Sequence, residues 1–456
     1  MINKVNIKLI YTIFAFLFLF NIFHYPICSY SGENHLNLEK KSGLDSIKDL
    51  SANKGFISID DYNFFWFIQI SDTQFLWYDE NKIASFYKFL NKTYKEIDPL
   101  FIYHTGDIVD AHFGLQQDKI EWELYKKALD DNKMNASIYM DIIGNHDAVQ
   151  DPNFNYFLNY SMMGRSFNTT QYSFNRTFNF GNYAFIGLNT AKESYNLFEF
   201  GYQGFLNSEE LNWYETELEK YKEFDKIFVF GHHPPSYPPY YSIQSEVSLS
   251  GKDFYELNEE YNVSYYLSGH IHDNAIQYLD KLLTISTLNF DQNNGQYRII
   301  ALDNNRLSTS IETVGVWPQA IITNPSEENN LIRNLNDNEE KVRVLAWDPE
   351  GIESVAWSLF EIEGEHQITA WKPLERKFVD EPLWEGYLDV EFHGRLMLKI
   401  QIEGYSGTTF KTLIYFSKAD INIISLSIAV IMTIALISIS LFIIFNVLNE
   451  MNRRKK

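Results

Sequence analysis

A single cysteine, Cys28, among 456 residues leaves no partner for an internal disulfide and no thiolate set for zinc. Any metal must therefore be held by His, Asp, Glu, Asn or Gln. Basic charge is scarce as well: 38 Lys and Arg stand against 60 Asp and Glu, a net charge of −22. A field of that sign repels phosphate backbones, so no nucleic-acid binding is expected. Internal repeats and low-complexity tracts are missing. What is abundant is apolar, 45% hydrophobic and 16% aromatic residues, which excludes a largely disordered or collagen-like chain. At roughly 150 residues per domain the length allows about two to three domains.

Both ends carry apolar runs. Lys4 and Lys8 precede Leu9 to Phe23, followed by Pro26, Ser29 and Ser31, so residues 1–31 are expected to be a signal peptide, with an uncleaved signal anchor as the alternative. Ile423 to Phe445 has no charged residue and is long enough for a ~30 Å hydrocarbon core. A transmembrane helix is expected over 421–446. Arg453, Arg454, Lys455 and Lys456 place the tail, 447–456, in the cytoplasm by the positive-inside rule. The chain would then be a single-pass membrane protein with everything before the helix extracellular or lumenal.

Between the ends, 32–63 is polar and reads as a linker. Phe64 to Ser71 and Pro99 to Thr105 are continuous apolar runs of buried-strand length with a helical stretch, Glu80 to Ile97, between them. Glu121 to Leu129 reads as helix before Ser137 to Ile143, Ser208 to Phe224 before Lys226 to Phe230, and Lys252 to Tyr261 before Ser264 to Leu267. Strand and helix alternating at this spacing predict an α/β layer fold. Gln171 to Asn189 and Lys281 to Val314 alternate in short pieces, as antiparallel strands at sheet margins do. After Trp317-Pro318 helices stop, and Val342 to Ala346, Ser354 to Phe360, Tyr387 to Phe392, Leu396 to Ile402 and Thr409 to Phe416 predict a small all-β sandwich.

Each α/β strand is followed by side chains of metal-ligand type. They are Asp72-Thr73-Gln74, Gly106-Asp107-Ile108-Val109-Asp110, Gly144-Asn145-His146-Asp147, Gly231-His232-His233-Pro234 and Gly269-His270-Ile271-His272. In open α/β sheets ligands bind at the carboxyl ends of the strands, so these groups converge. Two cations about 3.5–4 Å apart need a bridging carboxylate, with neutral imidazoles and carbonyl oxygens around them. Asp107 is the natural bridge. Asp72, Gln74 and His272 would complete one metal site, and Asn145, His232 and His270 the other. A hydroxide shared by two divalent ions is a nucleophile at neutral pH. His146, beside a ligand, is placed to protonate the leaving oxygen, and Asp147 to orient His146.

The order D-x-(H/Q), GD-x-x-D, GNHD, GH-x-P and GH-x-H is similar to that of the calcineurin-like metallophosphoesterases. A closer resemblance, to the transmembrane protein 62 family, rests on Glu121-Trp122, Gly181-Asn182-Tyr183, and Trp317-Pro318 leading to Ile321-Ile322-Thr323-Asn324-Pro325. The resemblance implies an α/β metallophosphoesterase sandwich, two mixed sheets flanked by helices, over 64–315. An all-β Ig-like domain over 316–418 and the C-terminal membrane helix would follow. It further implies a phosphoric ester hydrolase with two divalent ions (Mn, Fe, Zn or Mg) acting on a phosphate mono- or diester. Gln74 stands where most relatives have His, and its harder carboxamide oxygen favours Mn over Zn. Asp110 stands where purple acid phosphatases have an iron-binding Tyr, so no charge-transfer colour is expected.

His104 and His112 flank the motifs and are expected behind the site or at the surface; His233 is expected to face substrate or to be structural. Three functions fit: an active exoplasmic metallophosphoesterase, a non-catalytic phosphoesterase-fold scaffold organising membrane partners, and a metal-dependent hydrolase of another ester.

Overall fold

The computed structural model describes residues 55–59, 61–111, 116–191, 203–236, 242–290, 295–326, 341–388 and 395–416. The expected signal peptide, most of the expected linker, His112, the expected membrane helix and the expected tail lie outside the described residues. Among the described residues no helix is long and apolar enough to cross a membrane.

The chain opens with β1 (Phe56–Ile59) and β2 (Tyr62–Ile70). Helix α1 (Glu80–Lys88) runs on through a π-type turn, Phe89–Thr93, and a last turn, Tyr94–Ile97. Next come β3 (Ile102–His104), α2 (Lys119–Asp131), β4 (Tyr139–Asp141), α3 (Asn155–Tyr160) and α4 (Met162–Phe167). Then follow β5 (Tyr172–Phe178), β6 (Gly181–Gly187), β7 (Phe205–Leu206), α5 (Ser208–Tyr221), β8 (Lys226–Phe230), β9 (Gln244–Ser245), α6 (Phe254–Glu260) and β10 (Tyr265–Ser268). Strands β11 (Ala275–Leu279), β12 (Leu282–Ser286), β13 (Gln296–Asp303) and β14 (Arg306–Thr313) complete this part.

They form two mixed sheets. In the first the order is β14-β13-β2-β3-β4, with β1 added to β2; in the second it is β11-β12-β10-β8-β6-β5. Strands β2, β3 and β4 are parallel, as are β6, β8, β10 and β12. The hairpins expected at the margins are there, β5-β6 at one edge and β13-β14 at another. The sheet starts earlier than the linker reading implied, because Phe56–Ile59 pairs antiparallel with the start of β2. That strand is too short and too polar-flanked to show a period of its own.

The continuous apolar runs arise because both faces of the central strands are covered. In β2, Phe65 and Phe67 point into the core between the sheets, with Phe185, Phe228 and Phe230, while Phe64, Trp66, Ile68 and Ile70 point to the helix side, with Phe86, Phe89 and Trp122. In β8, Ile227 and Val229 pack instead under α5 and α6 with Leu211, Leu218 and Leu257. The result is helices, sheet, sheet, helices. Each fully buried Phe contributes about 2–3 kcal/mol of transfer free energy. Helices α5 and α6 start at capping boxes, Asn207 with Glu210 and Asp253 with Glu256.

Beyond β14 the described residues form strands only. Strands β15 (Gln319–Asn324), β16 (Lys341–Trp347), β17 (Ile352–Glu361), β18 (Lys372–Pro373), β19 (Glu375–Arg376), β20 (Leu383–Tyr387), β21 (Arg395–Gly404) and β22 (Gly407–Phe416) make two four-stranded sheets, β15-β16-β20-β19 and β18-β17-β21-β22. The described strand here is Leu383–Tyr387, whose Leu383 and Trp384 reach the core, while most of the run expected from Tyr387 to Phe392 lies outside the described residues. The first of these sheets has a second buried face: Ile321, Leu345, Trp347 and Leu383 belong to the same core as Trp66, and Trp347 lies 6.0 Å from its ring.

Candidate metal centre

All five motifs sit at the carboxyl ends of parallel strands: Asp72 and Gln74 follow β2, Asp107 follows β3, Asn145 and His146 follow β4, His232 follows β8, and His270 and His272 follow β10. Both sheets thus contribute. The strands end so close together that the motif glycines are spacers: a Cβ on Gly144 would stand 2.1 Å from the Asp107 amide nitrogen, and one on Gly269 would stand 1.8 Å from Ser71 Oγ. Asp72, Gln74, Asp107, His270 and His272 have φ of 52°, 41°, 53°, 70° and 53°. Left-handed backbone in non-glycine residues costs about 1–2 kcal/mol each and concentrates at functional sites.

His232 is fully buried, and its Nδ1 lies 2.8 Å from the Thr105 carbonyl. That bond fixes Nδ1 as donor and turns Nε2 toward Asn145 Oδ1, at 3.0 Å, and Asp107 Oδ1, at 3.3 Å. On the other side His272 Nε2 lies 3.2 Å from Asp72 Oδ1, a buried oxygen with no well-aligned hydrogen bond. Ligand-type atoms of Asp107, His232 and His270, and of Asp72, Asp107 and His272, fall within 4.8 Å of one another, and Asp107 is common to both groups. Six of the seven residues expected as ligands therefore lie around one point, and Gln74, largely buried, is tied to them through its backbone N–H, which donates to the Asp107 carbonyl at 3.0 Å.

The electrostatics suit cations. Burial raises a carboxyl pKa, but the positive charge that His232 and His146 bring outweighs it and holds Asp107 below the usual range. Asp72 is likewise lowered, burial being outweighed by the His272 hydrogen bond and His232. Burial lowers an imidazole, yet Asp107 raises His232 to about 9, so a metal must displace a proton there. His270 is pushed well down, by burial and then by His233 and His232, and stays neutral.

His146 is held by its Nδ1, 2.8 Å from the Asp110 carbonyl, which leaves Nε2 3.9 Å from Asp107 Oδ2. The orienting role expected of Asp147 falls to Asp110. The carboxylate of Asp147 instead accepts the backbone N–H groups of Ile108, Val109 and Gly144 and ties two motif loops together. His104 lies behind the site, bonded to Thr73 Oγ1 and Gly106 N, and burial lowers it to about 3. His233 is fully buried against Thr190 Oγ1, with its ring tilted 53° to that of His270 at 4.5 Å, a structural placement. Sequence reasoning missed Asn289, whose carboxamide lies 3.4 Å from His272 Nδ1 while its own Oδ1 is buried without a donor. With the amide turned, that oxygen accepts Nδ1–H and leaves Nε2 for a cation, as Thr105 does for His232. No motif marks Asn289; it arrives on the loop after β12, between Thr287 N bonded to Ser268 O and Phe290 N bonded to Ser71 O.

Residues 65–274 match the family described as calcineurin-like phosphoesterase, and this stretch carries most of the two mixed sheets and all five strand-end motifs. Among curated proteins, mouse transmembrane protein 62 is 27% identical over 286 residues, 58% of this chain and 41% of that protein, so the match spans about two fifths of its length. Among solved structures, GAP50, the anchor in the inner membrane complex of Plasmodium, is 17% identical over 55% of this chain and 85% of its own, with a TM-score of 0.36. A putative 5′-nucleotidase from Staphylococcus aureus is 16% identical over 55% of this chain and 54% of its own, with a TM-score of 0.34.

Proposed function

We propose that the chain is a membrane-anchored, exoplasmic phosphoesterase with a dinuclear metal centre that hydrolyses a phosphate mono- or diester. The observation that carries this reading is the convergence of ligand-type atoms: His232 Nε2, Asn145 Oδ1 and Asp107 Oδ1 meet on one side, and Asp72 Oδ1 and His272 Nε2 on the other, with Asp107 between. Without a cation, protons on His232 and His272 sit among these oxygens; a bound cation would take their place.

Asp107 would bridge two ions, Asp72, Gln74 and His272 holding one and Asn145, His232 and His270 the other, with Mn favoured by the oxygen of Gln74. Such ions, when bound, polarise a phosphoryl oxygen and supply a nucleophile at neutral pH. The chain's own groups do the rest. Thr105 and Asn289 fix the tautomers of His232 and His272. His146, its Nδ1 proton held by the Asp110 carbonyl, offers Nε2–H to the departing oxygen; burial lowers its pKa but Asp107 and Asp110 outweigh that and raise it, so a proton is available near neutral pH. The all-β part is Ig-like in this reading, and the run Ile423 to Phe445 anchors the chain with its tail in the cytoplasm.

The test is turnover of p-nitrophenyl and bis-p-nitrophenyl phosphate by the purified, Mn²⁺-loaded full chain. Hydrolysis of either, lost in Asp107→Asn, is expected. Metal uptake without turnover of any ester would leave a scaffold. Protease added outside cells of native orientation should reach the β domain and spare Arg453 to Lys456; protection of the β domain would invert the topology.

A further inference from the structure

The Glu121-Trp122 pair has no place in the metal set, yet it lies at the first turn of α2 directly behind His146. Trp122 is fully buried, and its Nε1–H donates to Gln117 Oε1 at 2.7 Å. Gln117, 7% exposed, then donates from Nε2 to the main-chain carbonyl of His146 at 2.8 Å. Glu121, fully buried, works on the other end of the same residue. Its Oε2 accepts Ala111 N–H at 3.2 Å, and Ala111 stands at φ 48°, a conformation that alanine keeps only when something holds it. The carbonyl preceding that N–H is the one on Asp110 that accepts His146 Nδ1–H at 2.8 Å.

We propose that Gln117, Glu121 and Trp122 form a bracket that positions His146: one arm clamps its backbone, the other fixes the carbonyl that aims its ring. None of the three touches the reacting atoms or a candidate metal ligand, so they are positioning residues. This inference rests on the phosphoesterase reading, in which His146 protonates the leaving oxygen. A group that acts only by delivering a proton matters most when the leaving group is a poor one, and a residue that acts only through it should share that dependence.

The experiment measures turnover of a series of phosphate esters, from nitrophenyl to alkyl, by the Mn²⁺-loaded full chain, its Gln117→Leu, Glu121→Leu and Glu121→Gln variants, and each of these combined with His146→Gln. Gln117→Leu and Glu121→Leu are expected to slow alkyl esters by about 10- to 100-fold and nitrophenyl esters by less than about threefold, a fraction of what a positioned acid provides. Glu121→Gln, which keeps an acceptor for Ala111 N–H, should stay within about threefold of the parent throughout. In the His146→Gln background the same changes should cost less than about twofold more, since both act through one group. Equal losses on all leaving groups, or losses that multiply in the double variants, would overturn the bracket. Should Glu121→Leu fail to fold, Gln117→Leu and Trp122→Phe carry the same comparison. A parent chain inactive on the whole series would instead overturn the phosphoesterase reading, and the bracket with it.

Discussion

Asp107, Asp147 and Glu121 are all buried carboxyl groups, and their neighbours give them different protonation. Asp107 faces imidazoles and stays anionic. Asp147 is raised to about 7 by burial and by the charge of Asp107, against the three backbone N–H groups that favour its anion. Glu121, with burial as the main cause and Asp110 adding to it, is raised to about 8. A carboxyl raised in the folded state contributes stability that is complete below its unfolded pKa and is lost as pH rises through the folded value. Urea unfolding should therefore show a weaker protein at pH 9 than at pH 6. Glu121→Gln should shrink that loss by about 2 kcal/mol, allowing for partial solvent screening. An undiminished loss in the variant would mean that Glu121 does not keep its proton near neutrality. The convergence of the five motifs was legible in the sequence because glycine-flanked acids and imidazoles after apolar runs have few other uses. Asp147 was misread because adjacency in sequence suggested a partner that the turn at His146–Ala148 points elsewhere. Asn289 and Gln117 were invisible, since a lone carboxamide acquires meaning only from what folding brings against it.

At the scale of elements, the site is built where strand ends from two sheets nearly collide. Gly144 does not need a left-handed backbone; it needs to lack a side chain, because a Cβ there would stand 2.1 Å from both the amide nitrogen and Oδ1 of Asp107. Gly144→Ala should push the β3 and β4 loops apart, destabilising the fold by about 1–3 kcal/mol and reducing turnover by at least about 100-fold. Thermal unfolding and kcat check this, and a variant with near-normal kcat would contradict the packing. Strands that are buried on both faces, β2 and β8, were easy to place from composition. Helices α3 and α4 were not, because each is only six residues long; α4 starts at a local cap, Ser161 Oγ to Gly164 N–H, while its first two N–H groups, of Met162 and Met163, go to the buried Asp141 carboxylate at the end of β4. The part of that start supplied from 21 residues away leaves no signal in the local sequence.

At the scale of the molecule, the phosphoesterase sheets and the following β-sheets share one core and a buried charge cluster. Arg343 of β16 pairs with Asp303 of β13 at 2.8 Å, and Glu385 of β20 takes Tyr62 Oη–H at 2.9 Å and Lys377 at 3.2 Å. The change from α/β to all-β was visible in the sequence, but the seam was not, because no periodicity shows which outer face a sheet will bury. What the whole assembly positions is one carboxylate, Asp107, common to two groups of ligand-type side chains. The most direct measurement is elemental analysis of purified protein, full chain beside Asp107→Asn, after equilibration with Mn²⁺. About two ions per chain are expected in the parent, and one or fewer in the variant, where the bridging charge that holds two cations apart from bulk water is gone. A parent that binds none, or a variant that keeps two, would contradict the dinuclear centre.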